Sequence, residues 1–99
     1  MGRRFVDLVE RQLELFEAEH AGLVRDCDAA LDAYNAAPRD DAEERYGDYV
    51  DLVDAAREAL VHYRDTYART LDQDAAEEYE QVFNGLARKR LPRLALELD

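Results

Sequence analysis

Two apolar stripes run through the first 70 positions of the chain, each with residues spaced alternately three and four apart. This spacing averages about 3.5 residues per turn and keeps one face of a helix against a partner helix along its length. The first stripe consists of Val6, Val9, Leu13, Phe16, His20, Leu23, Cys27, Ala30 and Tyr34. The second consists of Tyr46, Tyr49, Val53, Ala56, Leu60, Tyr63, Tyr67 and Thr70. The pattern predicts two long helices that pack along these stripes.

A short segment containing proline separates the two predicted helices. Pro38 disfavours helical geometry at the residue before it, so the first helix is expected over about 3–36. Asp40 and Asp41 are each followed by a glutamate three positions later, a capping pattern that predicts the second helix over about 41–70. A connection of about four residues joins two such helices as an antiparallel hairpin.

The register of the second stripe is lost after Thr70, and a new apolar stripe begins around Tyr79 and Phe83. A straight helix cannot present both stripes to one partner, so we expect a turn at 71–74 and a third helix over about 74–84. One long bent helix is the alternative. The Asn84-Gly85 pair is typical of a helix end and leaves a basic, leucine-rich tail over 86–99.

The predicted fold is a single all-α domain over 1–99, a long antiparallel helical hairpin plus a shorter third helix. The third helix covers only the half of the hairpin near the start of the first helix. An uncovered apolar stripe usually marks an interface, so we expect dimerisation to complete a four-helix-type bundle. The residues predicted at this homodimer interface are Cys27, Tyr34, Tyr46 and Tyr49.

The chain is strongly acidic, with 24 acidic and 13 basic residues and a net charge of -11 at pH 7. This charge repels phosphates and anionic lipids, so neither nucleic acid nor a membrane surface is an expected partner. The first residues lack the apolar core of a signal peptide, and no apolar run approaches the length of a membrane span. The expected location is the cytoplasm.

Four residues are candidate metal ligands. Glu17 and His20 lie three positions apart, the spacing with which helical bundles place a carboxylate and an imidazole on one metal. With the hairpin, this motif resembles the ferritin-like proteins, and the resemblance implies a site for Fe, Mn or Zn. Glu58 and His62, four positions apart, could bind a metal at the edge of the hairpin. The alternative is that His20 is a hydrogen-bonded core residue, because the facing stripe supplies no carboxylate.

The sequence offers little for nucleophilic catalysis. It contains no serine, and Cys27 is its only cysteine. Cys27 lies two helical turns from His20, about 10 Å along the helix, which is too far for a hydrogen-bonded Cys-His pair. All six tyrosines fall on the apolar stripes, where they either fill a wide core or line a small-molecule pocket.

The tail contains the main concentration of basic residues in the chain. These residues either complement a helix C-terminus or pair with an acidic surface, or else the tail is a docking peptide for a protein partner. The residues predicted to dock are Arg88, Arg90, Leu91, Leu94, Leu96 and Leu98.

These patterns favour a non-enzymatic cytoplasmic helical-bundle protein that acts through self-association or a protein partner, without a cofactor. A ferritin-like metal-binding bundle is the alternative. A small-molecule pocket lined by tyrosines is a further alternative.

Overall fold

The computed structural model of the chain describes residues 4–95 and Leu98, and among these residues it contains α-helices and no strand. The five helices are α1 (Val6–Glu19), α2 (Ala21–Ala36), α3 (Ala42–Ala68), α4 (Gln73–Arg90) and α5 (Pro92–Ala95). A 3₁₀ turn at Arg39–Asp41 precedes α3. The all-α prediction is confirmed, and the dimeric four-helix bundle stays a prediction.

Helices α2 and α3 form the antiparallel hairpin. Ala37 and Pro38 are extended, with ψ angles of 140° and 156°. The proline ring keeps Ala37, the preceding residue, out of helical geometry. The amide of Asp41 then donates to the carbonyl of Pro38 at 2.9 Å. The side chain of Asp41 makes no capping hydrogen bond, so this tight turn, rather than a side-chain cap, starts α3.

The predicted first helix is interrupted at His20, which corrects the expectation of one continuous helix over 3–36. The backbone of His20 has φ -117° and ψ 27°, outside helical geometry. The interruption lets α1 pack against α4 while α2 packs against α3. The ring of His20 stacks on the ring of Phe16 with a centroid distance of 5.0 Å. Neither proline nor glycine occupies this position, so tertiary packing places the break where local sequence does not mark it.

The break between the second and third helices lies at 69–72, and Asp72 caps α4 by accepting a hydrogen bond from the amide of Ala75 at 2.9 Å. Helix α4 then continues to Arg90, which corrects its expected end at Asn84. Gly85 keeps a helical backbone without positive φ. Burial of Phe83 and Ala87 on one face extends the apolar stripe, and this packing outweighs the helix cost of glycine, about 1 kcal/mol.

The core lies at the base of the hairpin, where α1, α3 and α4 meet. Phe5 packs edge-on against Tyr79 at 5.6 Å, and Phe16 packs edge-on against Tyr63 at the same distance. The largest fully buried side chains are those of Tyr79, Phe16, Phe83, Leu13, Leu60, Val9 and Cys27. Within the described part of the chain, no helix is both long and apolar enough to cross a membrane.

The tail folds back onto the hairpin instead of extending from it. Arg57 donates from Nε to the carbonyl of Leu94 at 3.1 Å, and Arg93 forms an ion pair with Asp28 of α2. The buried tail residues are Leu91, Leu94, Ala95 and Leu98. The predicted docking residues Leu91, Leu94 and Leu98 are therefore part of this chain's own core, which corrects the expectation of a free docking peptide. Leu96 lies outside the described residues.

Replacing Leu94 by alanine tests whether the tail belongs to the folding unit. Leu94 is 3% exposed, so Leu94→Ala is expected to lower the free energy of unfolding by about 2–5 kcal/mol, measured by urea unfolding followed by circular dichroism. Leu15→Ala is the matched control, because Leu15 on α1 is 51% exposed and its truncation should change stability by less than about 0.5 kcal/mol. Equal effects of the two substitutions would contradict a structural role for the tail.

Candidate functional site

The half of the hairpin that lies beyond the core forms a two-helix projection, which we call the distal arm (residues 28–52). Cys27 and Val53, which flank the arm, are both buried, whereas no residue within the arm is buried. The molecule is accordingly elongated, with dimensions of 51 × 23 × 20 Å. The arm thus leaves its apolar positions partly open to solvent.

Three of the four predicted interface residues form a ring cluster on the arm. The rings of Tyr34 and Tyr46 lie 5.2 Å apart, and those of Tyr46 and Tyr49 lie 6.4 Å apart. Tyr46 is 51% exposed and is one of the most exposed large apolar side chains among the described residues. The three tyrosines that the apolar stripes place at one interface are therefore neighbours in the structure.

A groove of about 450 Å³ runs between α2 and α3 along the arm. The residues that line it are Ala30, Ala33, Arg45, Asp48, Asp51 and Leu52. Small alanines form one wall, and carboxylates stand on the other. The sequence analysis missed this groove, although Ala30 with Ala33 and Asp48 with Asp51 share the three-residue spacing that places side chains on one helix face.

The distal arm carries a dense negative charge. Eight acidic residues and two arginines between positions 28 and 52 give it a net charge of -6, more than half of the chain's -11. Arg45 pairs with Asp48 at 4.0 Å on the arm itself. The exposed apolar surface of the arm is therefore bordered mainly by carboxylates.

Cys27 does not lie on an uncovered stripe, which corrects its place in the predicted dimer interface. It is 2% exposed, and α5 closes over it around a cavity of about 270 Å³ that Leu91 and Leu94 also line. Burial raises the pKa of the Cys27 thiol, and the neighbouring carboxylates of Asp28 and Asp26 raise it further. The neutral thiol is thus favoured, and the tail covers the position expected to meet a second subunit.

The two histidines line one groove of about 510 Å³, at which α1 and α3 meet. Tyr63, on the same groove, donates its hydroxyl proton to the carboxylate of Glu19. The ring of His20 lies 6.0 Å from that of Tyr63 and stacks on Phe16, as expected for a partly buried aromatic contact. The groove is amphipathic, with tyrosine rings, two imidazoles and one carboxylate.

The other two metal candidates are not on this groove. Glu17 forms an ion pair with Arg90 of α4, and Glu58 lines a neighbouring groove together with His62. Among residues 4–95 and Leu98, no group of three or more His, Cys, Asp or Glu side chains is arranged to hold a metal ion. The two pairs predicted from the sequence, Glu17 with His20 and Glu58 with His62, are therefore not part of such a group among the described residues.

Two polar contacts inside the core were not predicted. Tyr79 donates to Oε1 of Gln12 at 2.6 Å, and Arg64 donates to Oδ1 of the buried Asn84 at 3.0 Å. Burial raises the pKa of the Tyr79 hydroxyl from 10.0 to about 12, because the phenolate would lose its hydration. These contacts join α1 and α3 to α4 and position the base from which the arm projects.

A metal-content measurement tests the ferritin-like alternative. Protein purified without a histidine tag, incubated with Fe, Mn or Zn and then desalted, is expected to retain much less than one metal per chain, because no described cluster offers three ligands. The His20→Ala variant should retain the same amount. One equivalent in the wild type that disappears in this variant would restore the metal site.

The pKa of Tyr79 predicts a loss of stability at alkaline pH. A phenol whose pKa is raised on folding stabilises the fold equally at all pH values below about 10, and this contribution is lost as the pH rises toward 12. The free energy of unfolding should fall by up to about 2–3 kcal/mol over this range. In Tyr79→Phe this part of the fall should be absent, in urea titrations at successive pH values. Tyr46→Phe, at the exposed ring cluster, is the control and should retain it.

The sequence matches no family model and no curated protein, and the fold matches no solved structure.

Proposed function

We propose that this protein acts through protein–protein association and that the distal arm is its interface. The single observation that carries the proposal is the complete lack of buried residues from 28 to 52, next to a fully buried core at the base. An arm of two helices keeps each apolar stripe half exposed. Association would remove this surface from water.

The composition of the arm supports this role. Tyrosine is enriched at the energetically dominant positions of protein interfaces, because it buries a large ring and keeps a hydrogen-bonding hydroxyl. The arm presents Tyr34, Tyr46 and Tyr49 as one cluster, in which the ring of Tyr46 lies 5.2 Å from that of Tyr34 and 6.4 Å from that of Tyr49. A partner that covers these rings would gain about 25 cal/mol for each Å² of apolar surface removed from water.

A non-enzymatic role is the simplest form of this proposal. A catalytic nucleophile needs a pKa lowered toward neutral pH, whereas burial raises the pKa values of Cys27 and Tyr79. The cytoplasmic location stays a prediction of the sequence.

Small-molecule binding at the histidine-lined groove is the second candidate function. It is favoured by the meeting of His20, His62 and Tyr67 on one amphipathic surface. A ligand retained through purification, detected by native mass spectrometry and lost in Tyr67→Ala, would favour this function over association.

Replacing an exposed ring of the arm separates association from stability. Tyr46→Ser is expected to change the free energy of unfolding by less than about 1 kcal/mol, because the side chain is 51% exposed. The same substitution should weaken complexes formed through the arm about tenfold or more, as loss of a central interface tyrosine does. Gel filtration with light scattering measures self-association of the purified chain. For a complex with another protein, gel filtration of a native lysate follows the elution of the tagged chain.

Leu15→Ser is the matched control for this experiment. Leu15 is also 51% exposed but lies on α1, away from the arm. It should leave every complex unchanged. Identical elution of wild type, Tyr46→Ser and Leu15→Ser would contradict the assignment of the interface to the arm.

A further inference from the structure

We propose that the partner of the distal arm is a basic amphipathic helix from a different protein, rather than a second copy of this chain. This inference rests on the proposed interface and names its occupant. It follows from the charge of the arm, the shape of its groove and the way the chain uses its own basic residues.

Charge disfavours pairing of two arms. Each arm has a net charge of -6, so two packed arms would bring twelve net negative charges together. Packed helices lie about 8–10 Å apart, which is close to the Debye length of about 8 Å at physiological ionic strength. Salt therefore weakens the repulsion between the two arms without removing it. Lysines and arginines at the border of a partner helix would instead be attracted by the negative charges of the arm.

The shape of the groove fits a helix. Ala30 and Ala33 form a wall without bulky side chains, which permits close approach, and Leu52 supplies an apolar contact. The α3 part of the arm runs for about 16 Å, the length of about three helical turns. Arg45 and Asp48, which pair with each other at 4.0 Å, stand on one side of this groove with Asp51. Asp51 can pair with a basic side chain that flanks an apolar stripe.

The chain's own basic tail is not offered to the arm of another copy. Arg90 pairs with Glu17, and Arg93 pairs with Asp28, both within the same chain. Arg88 donates to the carbonyl of Leu98. In head-to-tail association of two copies, these arginines would exchange contacts that they already make within their own chain, so a foreign basic helix is the better electrostatic complement.

A pair of charge-swapped peptides tests this inference. Both peptides have three heptads with leucine at positions a and d, and the remaining positions are mainly lysine in one and mainly glutamate in the other. The lysine peptide is expected to bind the full chain at least about tenfold more tightly, with affinity falling as salt is raised. Amide chemical-shift changes should concentrate in residues 28–52. The charge reversal Asp51→Lys in the groove should weaken binding about tenfold, while Leu15→Ser leaves it within about twofold.

The controls separate this inference from the proposed interface. Urea unfolding of Tyr46→Ser and Asp51→Lys checks that both variants are folded. Equal binding of both peptides, or lysine-peptide binding that Asp51→Lys does not weaken, would overturn the basic-helix inference. A dimer of the wild type at physiological salt that Tyr46→Ser dissociates would also overturn it, while leaving the arm as the interface. A chain that binds neither peptide and shows no arm-dependent dimer would overturn both.

Discussion

Two packed helices bury only the strip of surface along which they touch, so a hairpin needs further elements to cover the rest of its apolar stripes. In this chain α4 and α5 supply that cover for the base and not for the arm. Phe16 and Leu60 at the base are completely buried, whereas Tyr46 at the far end is half exposed. The division between a packed base and an open arm follows from where α4 and α5 pack along the hairpin.

The bend at His20 and the return of the tail are two parts of one packing arrangement. The bend allows α1 to lie against α4, and α5 then closes the gap over Cys27. The ion pairs of Arg90 with Glu17 and Arg93 with Asp28 lie at the surface of this closure, where each is worth about 0–1 kcal/mol. Burial of the tail leucines therefore provides most of the free energy that holds the tail on the hairpin, and the arginines mainly set the position of the tail.

Local sequence patterns predicted the features that local chemistry controls. The spacing of the stripes predicted the hairpin, and Pro38 predicted its turn. The change of register after Thr70 predicted the break before α4. The bend at His20 and the helical backbone through Gly85 depend on tertiary contacts that these patterns do not contain. The tail leucines were predicted to dock on a protein partner, whereas their burial within the same chain depends on the path of α4. Of the residues that line the charged groove on the arm, only Ala30 belongs to a stripe, so the stripes do not mark this groove.

The acidic border of the arm has two consequences when the arm is the interface. An exposed tyrosine cluster on an uncharged hairpin would promote contact between identical copies, because nothing would oppose burial of the rings. Carboxylates such as Asp48 and Asp51 oppose that contact by electrostatic repulsion and attract a partner of opposite charge. The apolar residues would then supply most of the affinity and the carboxylates the choice of partner. Most of the basic residues of this chain lie in its folded base, outside the arm. A second copy of the chain is therefore a poor electrostatic partner for the arm.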